Sequence, residues 1–136
     1  MAAILPESAK DLVDRPIVTT LVTVMPDGQP QATPVWYDYD GTYFRVNTAE
    51  GRQKARNLER NAKVTICTID PQNGFHWIEI RGHVVEIVRE SEGHSQVREH
   101  INSLCQKYTG NPVYTFSPPG EQRMMILIEA DKINAR

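Results

Sequence analysis

TYFRVNTAEGRQKARNLERNAKVTICTID, residues 42–70, decides how the chain folds. The run that opens it, TYFRVNT (42–48), alternates apolar and polar residues with the period of a half-buried strand. KVTICTID (63–70), at its end, is rich in β-branched residues and reads as another strand. Between them Ala55, Leu58 and Ala62 fall on one helical face, and Arg52, Arg56 and Arg60 line a different one. The stretch reads strand, helix, strand.

Working outward, IVTTLVTVM (17–25) is a β-branched strand, and Asp27-Gly28 in PDGQ suits a tight hairpin turn. PQATPVWYDY (30–39) returns as a second strand, and Asp40-Gly41 turns the chain into 42–48. After the turn from Asp70-Pro71 to Gly74, FHWIEIRGHVVEIVRE (75–90) is one long strand with Gly82 as a bend or bulge. Val97, Ile101, Leu104 and Tyr108 mark a second helix over 91–108. TGNPVYTFSPPGEQ (109–122) is a loop, and RMMILIEA (123–130) a last strand. Successive hairpins imply an antiparallel sheet. The expected fold is mainly β: a six-stranded barrel with two or more small helices, since closure removes exposed edges. A parallel doubly wound sheet is disfavoured because βαβ units do not alternate.

The 136 residues suit a single domain spanning 1–136. A formal net charge of −2 gives no overall pull toward nucleic acid or an anionic membrane. No apolar run is long enough to span a bilayer, and MAAILPESAKDLV lacks the basic and long apolar segments of a signal peptide. Cys67 and Cys105 form neither a metal-ligand spacing nor a disulfide framework. The expectation is a cytoplasmic protein with no metal site.

The first helix begins with Arg52 and Lys54, at the positive end of its own dipole. Two readings follow. Glu50 neutralises one cation locally, or the free N–H groups, Arg52 and Lys54 converge on a phosphate. Arg56 and Arg60 face away and read as solvated. No G-x-x-x-x-G-K-[ST] or G-x-G-x-x-G is present, so a phosphate site here needs another fold. His76, His83, His94 and His100 are scattered and read as surface or half-buried residues. Cys67 reads as core, and Glu79 and Glu86 as the polar face of their strand. Trp36, Tyr37, Tyr39 and Tyr43 supply part of the core and a face for a planar ligand. No nucleophile or acid–base pair stands out, so no catalytic residue is assigned. That suits a protein whose cofactor carries the chemistry.

DGQPQATPVWY, a strand ending VNT, then GRQKARNLERNAKVTI and an aromatic strand before RGHVVEI together resemble the pyridoxamine 5′-phosphate oxidase-like, flavin-binding split β-barrel superfamily. The closest likeness is to the small branch that uses the deazaflavin coenzyme F420. It runs from about Ile17 to Ala130 and is most specific in Asn47-Thr48, Arg52-x-Lys54 and Asn57-Leu58. The resemblance implies a split barrel and a homodimer with cofactors at the interface. It implies an oxidoreductase moving a hydride between F420, or alternatively FMN, and an electron-poor small molecule such as an enone, quinone or tetrapyrrole. Arg52 and Lys54, with Asn47 and Thr48, correspond to the phosphate site. Thr33, Pro34, Val35 and Trp36 correspond to the strand along the ring. Trp77 and Ile78 match positions that approach the cofactor, often from the partner chain, and Arg123 a basic position before the last strand. Strand two lacks the extra basic residues of the typical pyridoxamine phosphate oxidase, so oxidation of pyridoxamine phosphate itself is not the expectation. An FMN-binding relative of that oxidase and a non-catalytic cofactor carrier are the alternatives. A nucleic-acid-binding barrel is disfavoured by the acidic balance.

Overall fold

The computed structural model describes residues 1–136. A 3-10 turn at Glu7–Ala9 leads into α1 (Lys10–Asp14). Then come β1 (Thr19–Val24), β2 (Pro30–Val35), β3 (Tyr37–Tyr39), β4 (Phe44–Ala49), α2 (Gln53–Arg60), β5 (Lys63–Asp70) and β6 (Asn73–Arg89). A second 3-10 turn at Glu90–Glu92 precedes α3 (Gln96–Thr109) and β7 (Arg123–Ala135). No helix is long and apolar enough to cross a membrane.

All strands join one antiparallel sheet in the order β2-β1-β5-β6-β7-β4-β3. Its two edges, β2 and β3, are consecutive in the chain and separated only by Trp36. The segment 30–39 thus leaves β1 and crosses at Trp36 to pair with β4. The expected six strands become seven because this one strand serves both edges. The sheet curls into a split barrel, mainly β, with three α-helices.

Period-two burial fills the barrel. Phe44 and Val46 of β4, Ile66 of β5, Ile78 and Ile80 of β6, and Met124, Ile126 and Ile128 of β7 are all buried in one core. Leu12 and Val13 of α1 join it, so the N-terminal segment, unassigned from sequence, is part of the fold. Each such side chain gains about 1.5–3 kcal/mol by leaving water. Met125 of β7 points to the opposite face and packs with Val88 of β6 and Val97 of α3. The β6–β7 register shifts between Arg81 and Gly82. A Cβ at Gly82 would lie 2.3 Å from the Glu129 carbonyl oxygen, so only glycine fits the bend.

Three expectations need correction. Cys67 is half-buried, not core, because the inward residues of β5 are its neighbours Ile66 and Thr68. Ala62 is exposed because α2 stops at Arg60. His100 is buried, 4 % exposed, because it shares the inner stripe of α3 with Val97, Ile101 and Leu104.

Candidate functional site

The turn at Gly51, with φ +89°, delivers β4 into α2. Arg52 is the N-cap of that helix, and no side chain caps it. A cleft of about 280 Å³ opens at this point, between the Val35–Trp36 corner, the end of β4, the start of α2 and the inner face of α3. One half is apolar: Pro34, Val35, Trp36, Ile101, Leu104 and Tyr114. The other half is polar and cationic: Asn47, Thr48, Arg52, Lys54 and Arg123.

The cations are held unequally. Arg123 is 3 % exposed; its Nε donates to Asn47 Oδ1 at 2.7 Å and its Nη1 to Glu121 Oε2 at 3.0 Å. Its guanidinium also lies 4.9 Å from the centre of the Tyr114 ring. Arg52 is more exposed and reaches Glu121 at 3.5 Å. Lys54 is half-buried and forms no hydrogen bond or ion pair; burial, then Arg52 and Arg123, hold its ammonium below the usual lysine range. Burial works to raise the Glu121 carboxyl. Hydrogen bonds from Ser117 and Arg123 outweigh it, and the carboxyl titrates below its ordinary value.

Two buried hydroxyls, Thr48 Oγ1 and Thr33 Oγ1, have no partner. Thr48 lines the cleft, and Thr33 directly precedes the lining residue Pro34. A buried donor without a partner costs about 1–3 kcal/mol unless something else satisfies it. An uncapped helix start, an unpaired ammonium, an orphaned hydroxyl and Arg52 on one cleft fit a phosphate oxygen cluster. The apolar half fits a flat ring. Trp36 is held there by stacking on Tyr108, with centroids 5.3 Å apart, and edge-on by Tyr114 at 6.2 Å.

The cleft therefore brings together Pro34, Val35, Trp36, Asn47, Thr48, Arg52, Lys54 and Arg123, with Thr33 beside it. It does not gather Trp77 or Ile78. Ile78 is fully buried in the barrel core, and Trp77 pairs through its backbone with Arg136. Glu50 does not neutralise the helix start; it accepts from Arg89 and Ser91. Arg56 and Arg60 stay outside the cleft, bonded to the carbonyls of Gly51 and Val24. Sequence reasoning missed Glu121, which sits in a Gly- and Pro-rich loop without a local signal. It also missed Tyr114, and His100, whose place on the Val97–Leu104 stripe was the available sign.

Two groups elsewhere have metal-like composition. In Asp11, Asp70 and His76, Arg15 bridges both carboxylates. In the other, His83 already bonds Asp131.

The model of the pyridoxamine 5′-phosphate oxidase family matches residues 5–136. Among solved structures, an F420 reductase is 30% identical, with a TM-score of 0.81 over 96% of this chain and 98% of its own. A conserved hypothetical protein from Mycobacterium tuberculosis is 28% identical, with a TM-score of 0.73 over 98% of this chain and 85% of its own. HupZ of Group A Streptococcus, at 23% identity and a TM-score of 0.66, shares the fold; the match covers 97% of this chain and 94% of HupZ. No curated protein matches the chain by sequence.

Proposed function

The chain belongs to the pyridoxamine 5′-phosphate oxidase family, and on that premise we propose that it is an oxidoreductase using coenzyme F420. The observation that carries this reading is the half-apolar, half-cationic cleft with Lys54 unpaired at an uncapped helix start. The 30% identical F420 reductase, matched over nearly the whole of both chains, supports the deazaflavin over FMN. FMN is the second reading, supported by the family match itself.

Lys54, Arg52 and the Thr48 hydroxyl would hold the cofactor phosphate, with Arg123 and Asn47 flanking it. Pro34, Val35 and Trp36, with Thr33 next to them, would lie along the ring. When bound, such a cofactor supplies hydride transfer. The chain's own part is to fix the ring against the β2–β3 corner, exclude water with Trp36, Ile101 and Leu104, and screen the phosphate charge. No side chain is assigned a proton-transfer role. An enone, quinone or tetrapyrrole is the substrate class of this reading.

About 280 Å³ is at the small end for a site of this kind, and it leaves much of the cofactor uncovered. A homodimer would complete it, with Trp77 offered from a second copy; Ile78 is committed to its own core. The chain is read as one domain acting in the cytoplasm.

The test is a titration of the purified protein with F420 and with FMN, followed by absorbance and fluorescence. Saturable F420 binding and oxidation of reduced F420 by an enone, quinone or tetrapyrrole are expected. Binding without turnover would favour a cofactor carrier, and binding of neither would end the reading. Sedimentation at micromolar concentration should give a dimer.

A further inference from the structure

A chain of hydrogen bonds runs from the buried interior of α3 to the cationic half of the cleft. Asn47 Oδ1 accepts from Arg123 Nε, and Asn47 Nδ2 lies 3.1 Å from both the Val97 carbonyl oxygen and His100 Nδ1. His100 Nε2 lies 3.3 Å from Asp38 Oδ1. These contacts leave no freedom in the proton positions. Arg123 Nε can only donate, so it must face the amide oxygen of Asn47; Val97 O can only accept, so it must face the amide nitrogen. The second Asn47 N–H then points at His100 Nδ1, which must carry a lone pair. The ring is therefore neutral, with its proton on Nε2 and given to Asp38.

We propose that His100 is a positioning residue for the cofactor site: as the neutral Nε2–H tautomer it orients Asn47, and Asn47 in turn aims Arg123 into the cleft. The proposal rests on the cofactor reading above and deepens it. A proton on Nδ1 would set N–H against N–H. Asn47 would have to turn, leaving Arg123 Nε without its acceptor. The charged groups around the ring are Asp38 of β3, Arg45 of β4, which chelates Asp38, and Arg123 of β7 with Glu121 behind it. Lys107, about two turns further along α3, is held on the carbonyls of Val13 and Tyr37. Asp38 is kept anionic: burial works to raise it, but His100 and Arg45 bring it to about 2. It therefore accepts from Nε2 throughout the histidine range.

Two measurements test this. In the cofactor-free protein, NMR of the ring nitrogens of His100 should show the Nε2–H tautomer at neutral pH. The Arg123 Nε–H signal should shift in His100→Leu, and in an Asn47→Ala background the same substitution should leave it in place. An imidazolium or an Nδ1–H tautomer at neutral pH, or an Arg123 signal blind to His100, would overturn the proposal. This measurement holds even if F420 fails to bind, which would be the failure of the cofactor reading instead. The second measurement is F420 affinity at one neutral pH in wild type, His100→Gln and His100→Leu. Gln keeps one acceptor and one donor, whereas Leu fills the place and offers neither. His100→Leu should lose roughly tenfold, the effect of one charge-assisted hydrogen bond, and His100→Gln should recover most of it. Wild-type affinity in a folded His100→Leu would overturn the proposal.

Discussion

Arg52 and Lys54 at the start of α2 and Arg56 and Arg60 in its body have the same charge and opposite circumstances. The later pair is saturated by the protein, Arg56 by Gly51 O and Gln53 and Arg60 by Val24 O and Asn57. The earlier pair is not: Arg52 has one long contact to Glu121, and Lys54 has none. The difference teaches that a cation's availability, not its presence on a helix, marks a site. The long side chains of Arg56 and Arg60 reach the carbonyls of Gly51 and Val24, whereas Arg52 and Lys54 sit beside the free N–H groups of the helix start, which repel a cation.

The comparison can be broken most sharply at Lys54. Lys54→Ala should weaken F420 binding by roughly tenfold to a hundredfold, the loss of one charge-assisted contact. The melting temperature of the free protein should hold or rise slightly, because the lost cation was desolvated and mismatched to the dipole. Calorimetric titration beside a thermal melt checks both halves. Arg52→Ala should cost about tenfold, less than Lys54, since Glu121 already engages Arg52 and its side chain is well exposed.

The depressed Lys54 ammonium adds a pH arm. An anion restores its proton affinity, so binding is strongest while Lys54 is protonated. Affinity should fall several-fold as the pH rises through the depressed value toward the ordinary lysine pKa of about 10.4. In that window the unfolded chain holds more protons than the folded one, so the free protein gains stability with rising pH. Lys54→Arg, which stays charged, should flatten the affinity profile. An unchanged profile would mean that Lys54 does not meet the anion.

A smaller effect belongs to the orphaned hydroxyl. Thr48→Val should reduce affinity about threefold and leave the free protein as stable or more so, because a buried polar group without a partner is removed. Chemical denaturation with and without F420 separates the two. Smallest are Arg56→Ala and Arg60→Ala: affinity within about twofold, with about 0.5–1.5 kcal/mol of stability lost for their bonds to backbone carbonyls. Equal affinity losses across all four cations would show a diffuse field in place of a site.

The strands and hairpins were legible in the sequence because period-two burial and Asp-Gly turns are local signals; β5 matches its reading from Lys63 to Asp70. Gly82 was legible as a bend, since glycine in a strand interior marks a close approach. The break at Trp36 was not, because nothing in PQATPVWYDY forbids continuing the strand. The handover between sheet edges is imposed by barrel closure. The five-residue α1 escaped because Leu12 and Val13 show no helical repeat over so short a span. The cationic start of α2 could be read from dipole chemistry, whereas its counter-ion Glu121 could not. Glu121 reaches Arg52 only through the fold, from a loop far along the chain.

The most direct test of the central claim is the change in backbone amide NMR signals when F420 is added to the wild-type protein. The amides of Thr48, Gln53, Lys54 and Ala55 should shift together and saturate, while those of Glu59, Arg60 and Asn61 stay in place. Saturable shifts centred on the far end of α2, or on Lys63 and Arg81 at the outer face of the sheet, with none at Lys54, would contradict the assignment of the cofactor phosphate to the start of this helix.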